Sequence, residues 1–309
     1  MKGETNMKSI RIHIYIALGI FLALFIVGSF LDLQINEGLF SQNNGFGLTV
    51  AALSMTLGYG VIAFMGGIVL YHGAKFADKG WLKAIFFVLA LAFWGVSIYY
   101  DGKEFFGENG WNLQDLVFLG YVIAMPLMGG FMGLGYYAGK KANNPRLWLM
   151  MVIGAIFIAL SLIIGTTVVK NIFHRPRYRI AVYNGYVDFY PWWKRCSNYK
   201  DLVQTFSISS EEFKSFPSGH TSVCATSMMG VIMLPYIFNK PIKHQLLYFY
   251  IALAYTLFVA FTRLLVGAHY MSDVAMGGII SLLCTYVFYE IILHNPKLYK
   301  LPEQEVVAQ

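Results

Sequence analysis

The sequence predicts an all-α fold, a polytopic membrane bundle of about eight transmembrane helices. The first observation is composition: the 309 residues are 57% hydrophobic and 13% charged, with a mean hydropathy of +0.57. A soluble protein of this length cannot bury so much apolar surface. The second observation is the recurrence of apolar runs near the roughly 20 residues that cross a bilayer. They cover 14–33, 48–70, 82–100, 116–137, 147–169, 222–238, 246–266 and 274–293.

The third observation is that basic residues are concentrated at the N-terminus, in alternate loops and in the tail. They are Lys2, Lys8, Arg11, Lys75, Lys79, Lys83, Lys140, Lys141, Arg146, Lys240, Lys243, Lys297 and Lys300. Basic residues favour the cytoplasmic side, so we expect both termini to be cytoplasmic, which an even number of spans allows. The chain shows no obvious organelle signal, which favours a bacterial cytoplasmic membrane, with an internal eukaryotic membrane as the alternative.

One long loop, 170–220, departs from this charge pattern, because it is expected on the outer side and yet is basic. Its basic residues are Lys170, Arg175, Arg177, Arg179, Lys194, Arg195, Lys200 and Lys214, against the acids Asp188, Asp201, Glu211 and Glu212. Long loops report topology poorly, so the predicted orientation stands. The charge fits either a solvated loop attracted to anionic lipid head groups or a site for an anionic ligand.

The first candidate motif is "KNIFHRPRYR", residues 170–179. Lys170 closes the fifth span and Arg177 follows seven residues later, so two further helical turns would place both near one face. Pro176 predicts that the helix ends or kinks first. The alternative interpretation is that Lys170 snorkels to the interface and the arginines form a head-group belt.

The second candidate motif is "PSGH", residues 217–220, where polar sequence meets an apolar run. Pro217 suits the first turn of a helix, Ser218 can cap it, and Gly219 allows a ligand close to the backbone. Free N–H groups and the helix dipole would then attract an anion, with His220 in the same turn. The alternative is ordinary turn chemistry with an interfacial histidine.

The third candidate motif is "TRLLVGAHYMSD", residues 262–273, which contains Arg263, His269 and Asp273. If the segment is helical, His269 and Asp273 share a face. A carboxylate there can accept one imidazole N–H and raise the basicity of the other nitrogen, as in sites with nucleophilic histidines. The alternative is a structural His–Asp pair in a helical hairpin.

All three motifs are predicted at one membrane face, and together they suit phosphoryl transfer. Cations and amides would hold the non-bridging oxygens while one histidine attacks phosphorus and another protonates the leaving oxygen. Asp273 has no carboxylate neighbours in these motifs, so no metal or other cofactor is predicted and fixed cations would carry the electrostatic role.

With these motifs the chain resembles the type-2 phosphatidic acid phosphatases, relatives of vanadium haloperoxidases and bacterial acid phosphatases. The family pattern is Lys-x6-Arg-Pro, Pro-Ser-Gly-His and Ser-Arg-x5-His-x3-Asp. The chain matches it in order and spacing through Lys170, Arg177, Pro217, Ser218, Gly219, His220, Arg263, His269 and Asp273. Tyr178 replaces the proline of the first motif and Thr262 replaces the serine of the third.

The resemblance implies a role for each motif residue. His269 would be the nucleophile that forms a phosphohistidine, Asp273 would orient it, and His220 would protonate the leaving alcohol. Lys170, Arg177, Ser218, Gly219 and Arg263 would hold the phosphate. Whether Arg175 or Arg177 contacts it stays open. The family's six-span core would cover 81–309 with the long outer loop 170–220, and 1–80 would add two spans.

The sequence therefore predicts a metal-independent, integral membrane hydrolase of a lipid phosphate or isoprenoid diphosphate, active at the outer leaflet. Phosphatidate, phosphatidylglycerol phosphate, an isoprenoid diphosphate and a phosphorylated lipid A are all compatible substrates. A lipid phosphotransferase with the same phosphohistidine is the alternative, and a non-enzymatic transporter or binder of anionic lipids is the third hypothesis. The bilayer is the expected environment and nucleic acid is not an expected partner.

Overall fold

The computed structural model describes residues 2–107 and 113–293, which form ten α-helices and no strand. They are α1 (Lys2–Leu39), α2 (Gly45–Phe76), α3 (Gly80–Phe106), α4 (Val117–Ala142), α5 (Leu147–Leu162), α6 (Lys170–Phe173), α7 (Tyr199–Phe206), α8 (Gly219–Phe238), α9 (Gln245–Leu265) and α10 (Met271–Phe288). A π-helical stretch, Ile163–Val169, joins α5 to α6 as one span, Leu147–Phe173. Eight helical segments of the described chain are long and apolar enough to cross a membrane, which confirms the predicted class. The basic tail residues Lys297 and Lys300 lie outside the described residues.

The bundle is built around α2 and α8, which pack against each other and against most other spans. Close approach of helices in membranes favours small residues, because side-chain volume keeps the backbones apart. A Cβ on Gly58 of α2 would lie 2.4 Å from the carbonyl oxygen of Val223 in α8. A Cβ on Gly28 of α1 would lie 2.5 Å from the amide nitrogen of Ser272 in α10. Glycine thus brings α1 and α2 into direct contact with the helices that carry the motifs.

The two predicted N-terminal spans, α1 and α2, pack along α10 and α8, whereas α3 and α4 pack mainly against α2 and each other. The division of the chain at residue 80 stays a prediction. What the contacts establish is that α1 reaches the third motif directly, because Ser272 donates its amide hydrogen to Asp32 Oδ1 at 2.9 Å.

The first span begins at the end of the bundle where the last span ends. Nη2 of Arg11 in α1 donates to Oε2 of Glu290, just after α10, at 2.8 Å. The opposite end carries the loop 174–218 and the segment 266–270, and we call it the motif end. A chain that starts its first span and finishes its last span on the same side has an even number of spans, as predicted.

The long loop folds over the motif end with a small core of its own. Ile180, Cys196 and Phe213 are buried there, and burial raises the pKa of the Cys196 thiol. Within the loop, residues 190–194 read "YPWWK", and its two tryptophans lie in different environments. Trp192 stacks on Phe216 and donates to Ser29 Oγ of α1 at 2.9 Å, whereas Trp193 is exposed. The loop is therefore anchored to the first span as well as to its own core.

Candidate active site

The first motif leaves the fifth span as a sharp turn. The helix ends at Phe173, and His174 adopts a left-handed conformation with φ of 47°, so the helix ends before Pro176 as predicted. The turn directs Arg175 and Arg177 into the protein, where their side chains are 0% and 1% exposed. The two arginines are only two residues apart and both are buried, but their side chains have different neighbours.

Arg175 is held by carboxylates. Nη1 donates to Asp273 Oδ1 at 2.5 Å and to Ser272 Oγ at 2.9 Å, and Nη2 donates to Asp32 Oδ2 at 2.9 Å. The guanidinium also lies 4.0 Å from the ring centroid of Tyr270. Because its donors are committed to two acids and its charge is balanced, Arg175 is a structural cation, and the geometry favours Arg177 for phosphate.

Arg177 lies among other cations, because its charge acts on both Lys170 and Arg263. Burial lowers the pKa of the Arg177 guanidinium, and Glu212 opposes that shift. Nη1 of Arg177 is 3.6 Å from Glu212 Oε1, and the Arg177 amide donates to the Glu212 carbonyl at 2.9 Å. Glu212 also forms a two-point hydrogen bond with Arg179, so its charge is shared between two arginines.

The second motif forms the N-terminus of α8. The helix begins at Gly219 with Ser218 as its N-cap, whose Oγ accepts from the Thr221 amide at 3.4 Å. Pro217 lies before the cap rather than in the first turn where the sequence placed it, because the Ser218 backbone is extended. The Ser218 amide donates to the Asp273 carbonyl at 2.9 Å, which ties the mouth of α8 to the third motif.

The third motif places His269 outside a helix. Tyr270 is the N-cap of α10, which begins at Met271, so His269 and Asp273 do not share a helical face. Nδ1 of His269 lies 2.6 Å from the Ser215 carbonyl oxygen and 3.8 Å from Asp273 Oδ2, and only the shorter distance is a hydrogen bond. A carbonyl can only accept, so Nδ1 carries the proton and Nε2 carries the lone pair.

Asp273 influences His269 through Ser215. Its Oδ2 accepts from Ser215 Oγ at 2.5 Å and from the Tyr270 amide at 2.8 Å. Ser215 therefore donates its hydroxyl to Asp273 and accepts the His269 N–H at its carbonyl. This one residue fixes both the carboxylate and the imidazole.

Electrostatics keep His269 neutral. Burial is the main cause that lowers the pKa of His269 to about 3. The nearby charges of Lys170, Arg177 and Arg263 add to this shift, whereas Asp273 opposes it. The three predicted phosphate-binding cations thus surround a histidine whose Nε2 lone pair is available above about pH 3.

The remaining predicted residues lie at the same end of the protein. His220 is the second residue of α8 and is 2% exposed, and Arg263, near the end of α9, is fully buried. The charges of Arg263, Lys170 and Arg177 all act on His220, so the structure brings the residues of the three motifs together.

Several residues of the site were missed by sequence reasoning. Asp32 carried a usable signal, since an acid inside an apolar span is costly and needs a partner. Glu104, whose Oε2 lies 3.7 Å from His220 Nε2, comes shortly after the third apolar run and carried a weaker signal. Ser215 carried none, because its carbonyl and hydroxyl act through the conformation of the loop.

These features define a class: a multi-pass helical membrane protein with a buried site of two histidines, three cations and a helix N-terminus. Residues 147–297 match the model of the PAP2 superfamily, which confirms the resemblance to the type-2 phosphatidic acid phosphatases. The matched segment is just under half of the chain and contains every residue predicted for the site. Comparisons with curated proteins and with solved structures found no match. The family points to a phosphatase-type activity on a lipid phosphate.

Proposed function

We propose that the chain is a metal-independent membrane phosphatase that hydrolyses a lipid phosphate or diphosphate through a phosphohistidine at His269. The observation that carries the proposal is the hydrogen bond from His269 Nδ1 to the Ser215 carbonyl, at 2.6 Å. It directs the lone pair to Nε2, the nitrogen that must attack phosphorus.

The phosphate would be held by charge and by backbone. Lys170, Arg177 and Arg263 form a cationic cluster that lies within electrostatic reach of His269. Ser218 caps the N-terminus of α8, and its own amide is committed to the Asp273 carbonyl. The amides of Gly219 and His220 in the first turn, together with the helix dipole, would attract the anion. Such preorganised donors stabilise the charge that develops on the equatorial oxygens in the transition state.

The reaction would proceed in two balanced steps. In the first, His269 Nε2 bonds to phosphorus, the bond from phosphorus to the leaving oxygen breaks, and His220 gives that oxygen a proton. In the second, water attacks phosphorus, the N–P bond breaks, and His220 takes the proton from water. Inorganic phosphate leaves and both histidines return to their starting states.

The site lies at one end of the bundle, which suits a substrate whose head group is in water and whose chains stay in lipid. The alternating basic loops support cytoplasmic termini and favour an outer position for the motif end. A bacterial cytoplasmic membrane is the proposed location, and a lipid of its outer leaflet is the proposed substrate.

The test is phosphate release by detergent-solubilised protein, with a chelator present, from four lipids. They are phosphatidate, phosphatidylglycerol phosphate, an isoprenoid diphosphate and a phosphorylated lipid A. We expect release from at least one lipid and trapping of acid-labile phosphate on the protein. His269→Ala should abolish both, whereas His244→Ala, an exposed histidine at the other end of the bundle, should change neither.

Three outcomes would contradict the proposal. Equal phosphate release by His269→Ala and wild type would exclude His269 as the nucleophile. No phosphate release from any of the four lipids by folded wild-type protein would favour a lipid binder or transporter over an enzyme. Loss of release on addition of chelator, restored by a divalent metal, would contradict the metal-independent mechanism. Folded protein is checked in every sample by the midpoint of thermal unfolding.

A phosphotransferase is the second candidate, favoured by a cavity of about 610 Å³ at the motif end. Arg179 and Glu212 line it, and Glu212 is 3.6 Å from Arg177 of the proposed phosphate site. Its other polar lining residues carry amides and hydroxyls: Ser41, Gln42, Asn43, Asn44, Gln114, Asn184 and Ser209. Such a cavity suits an uncharged acceptor alcohol that could replace water in the second step.

Added alcohol separates the two candidates. A hydrolase releases inorganic phosphate at the same rate with or without glycerol or a soluble sugar. A transferase instead yields a phosphorylated alcohol, detected by mass spectrometry, while release of inorganic phosphate falls.

A further inference from the structure

Glu104 is a carboxylate at the motif end of α3, outside the segment that matches the family. One turn earlier on the same face, Asp101 is fully buried and accepts a hydrogen bond from Thr56 Oγ1 of α2 at 3.0 Å. This contact fixes the end of α3 against α2. Residues three apart on a helix are neighbours, so Glu104 is directed to the same interior side.

Glu104 faces the histidine of the second motif. Its Oε2 lies 3.7 Å from His220 Nε2, with the two side chains 16% and 3% exposed. Within the described part of the chain, His220 Nε2 makes no hydrogen bond. The distance is too long for a direct hydrogen bond, but a buried charge pair at this separation is screened little by solvent.

The other charges around His220 are mostly positive. Arg263 of α9 and Lys170 and Arg177 of the first motif all act on it. Of the neighbouring acids, Glu211 forms an ion pair with Lys214 and Glu212 pairs with Arg179. The cations are needed for phosphate, but they disfavour a protonated imidazole. A proton donor at this position therefore requires a nearby negative charge.

We propose that Glu104 is a positioning residue for proton transfer, holding the proton on His220 Nε2 until the leaving oxygen takes it. The inference rests on the proposed function. When the bond from phosphorus to the leaving oxygen breaks, that oxygen takes the proton and His220 becomes neutral. In the second step, water returns a proton to Nε2 as its oxygen attacks phosphorus and the N–P bond breaks. Glu104 exchanges no atom and contributes only its charge.

The leaving group provides the test, because only a poor leaving group needs protonation. We compare kcat/KM of wild type and Glu104→Gln on a short-chain phosphatidate and on p-nitrophenyl phosphate, because kcat/KM reports the steps up to release of the leaving group and not the second step that both substrates share. We expect kcat/KM on the lipid to fall about ten-fold or more, as partial loss of acid catalysis predicts. On the nitrophenyl ester kcat/KM should change less than about three-fold, since nitrophenolate leaves without a proton. The alkaline limb of the pH profile of kcat/KM on the lipid should move to lower pH.

Three further variants and measurements make the result specific. Glu104→Asp keeps the charge and should restore most of the lipid activity. Glu37→Gln makes the same change in an exposed acid near the motif end of α1 and should alter neither substrate. The nitrophenolate burst counts working sites in each sample, so misfolded protein does not affect kcat/KM.

The failure of this inference differs from the failure of the proposed function. Equal loss on both substrates, or no loss on either, would overturn the role of Glu104 while wild type still releases phosphate. Wild type that releases phosphate from neither substrate would overturn both.

Discussion

Arg175 and Arg177 lie two residues apart in one loop and are equally buried, yet their surroundings are opposite. Arg175 is bound by Asp32 and Asp273, which balance its charge with hydrogen bonds of 2.9 and 2.5 Å. Arg177 is near two other cations, and its acid, Glu212, is 3.6 Å away and shared with Arg179. A buried charge that is fully paired supports structure, whereas a buried excess of one sign is suited to a ligand of the other sign.

The largest effect should follow loss of the paired arginine. Arg175→Met leaves Asp32 and Asp273 buried without their counter-ion, and breaking a buried pair costs about 3–5 kcal/mol. We expect a large fall in the free energy of unfolding, measured in detergent, and little folded protein. Arg195→Met removes an exposed arginine of the same loop and is the control; an equal effect there would contradict the distinction.

Loss of the second arginine, Arg177, should lower the activity strongly and the stability little. Arg177→Met removes a cation that would stabilise the transition state, and such a loss lowers kcat by about 10²–10³-fold. Because other cations surround Arg177 and Glu212 keeps its hydrogen bonds to Arg179, we expect the free energy of unfolding to change much less than in Arg175→Met. Phosphate release and thermal unfolding of the same preparation measure both. A variant that unfolds like Arg175→Met would show that Arg177 is structural as well.

The sequence predicts the spans and the motif residues, but it does not predict which of the two arginines is structural and which contacts phosphate. Apolar runs indicate the spans because the bilayer admits almost only complete helices, and the match of three motifs in order predicts residues that meet in the fold. The choice between Arg175 and Arg177 depended on Asp32, which is 143 residues from Arg175 in the chain. No local pattern can reveal such a partner, although an acid in an apolar span indicates that one exists.

The third motif shows a second limit. The spacing of His269 and Asp273 suggested a direct contact on a helix, but the helix begins two residues after His269. The side chain of Asp273 then turns back to accept the Tyr270 amide, and Ser215 occupies the position between acid and histidine. Periodicity predicts faces within a helix and fails where the helix has not yet begun.

A smaller effect is expected at Ser215, where the side chain can be removed and the backbone carbonyl retained. Ser215→Ala deletes one of the hydrogen bonds to buried Asp273, at a cost of about 1–3 kcal/mol in the free energy of unfolding. The backbone carbonyl of Ser215, which accepts the hydrogen bond from His269 Nδ1, is retained in this variant. Phosphate release should therefore fall much less than in Arg177→Met. Release that falls as far as in Arg177→Met, with folded protein, would mean that Asp273 controls His269 mainly through the hydroxyl.

The smallest effect concerns the stability that Glu212 provides beside Arg177. Burial alone raises the pKa of Glu212, but Arg177 and Arg179 outweigh burial and hold it below the ordinary 4.5. A carboxylate with a lowered pKa in the folded state stabilises the protein above its unfolded pKa, and this contribution is lost as pH falls through the folded value. Glu212→Gln should therefore unfold at a lower temperature than wild type at pH 7.

The difference between Glu212→Gln and wild type should narrow as pH falls below 4.5, because protonated glutamate then resembles glutamine. Glu211→Gln is the matched comparison, since its carboxylate is more exposed and pairs with Lys214 at the loop surface. Its effect should be smaller and weaken in high salt, as exposed pairs do. A Glu212 effect that stays constant from pH 7 to pH 4 would mean that packing and not charge gives Glu212 its role. The cation cluster around Arg177 would then be stable without a fixed acid.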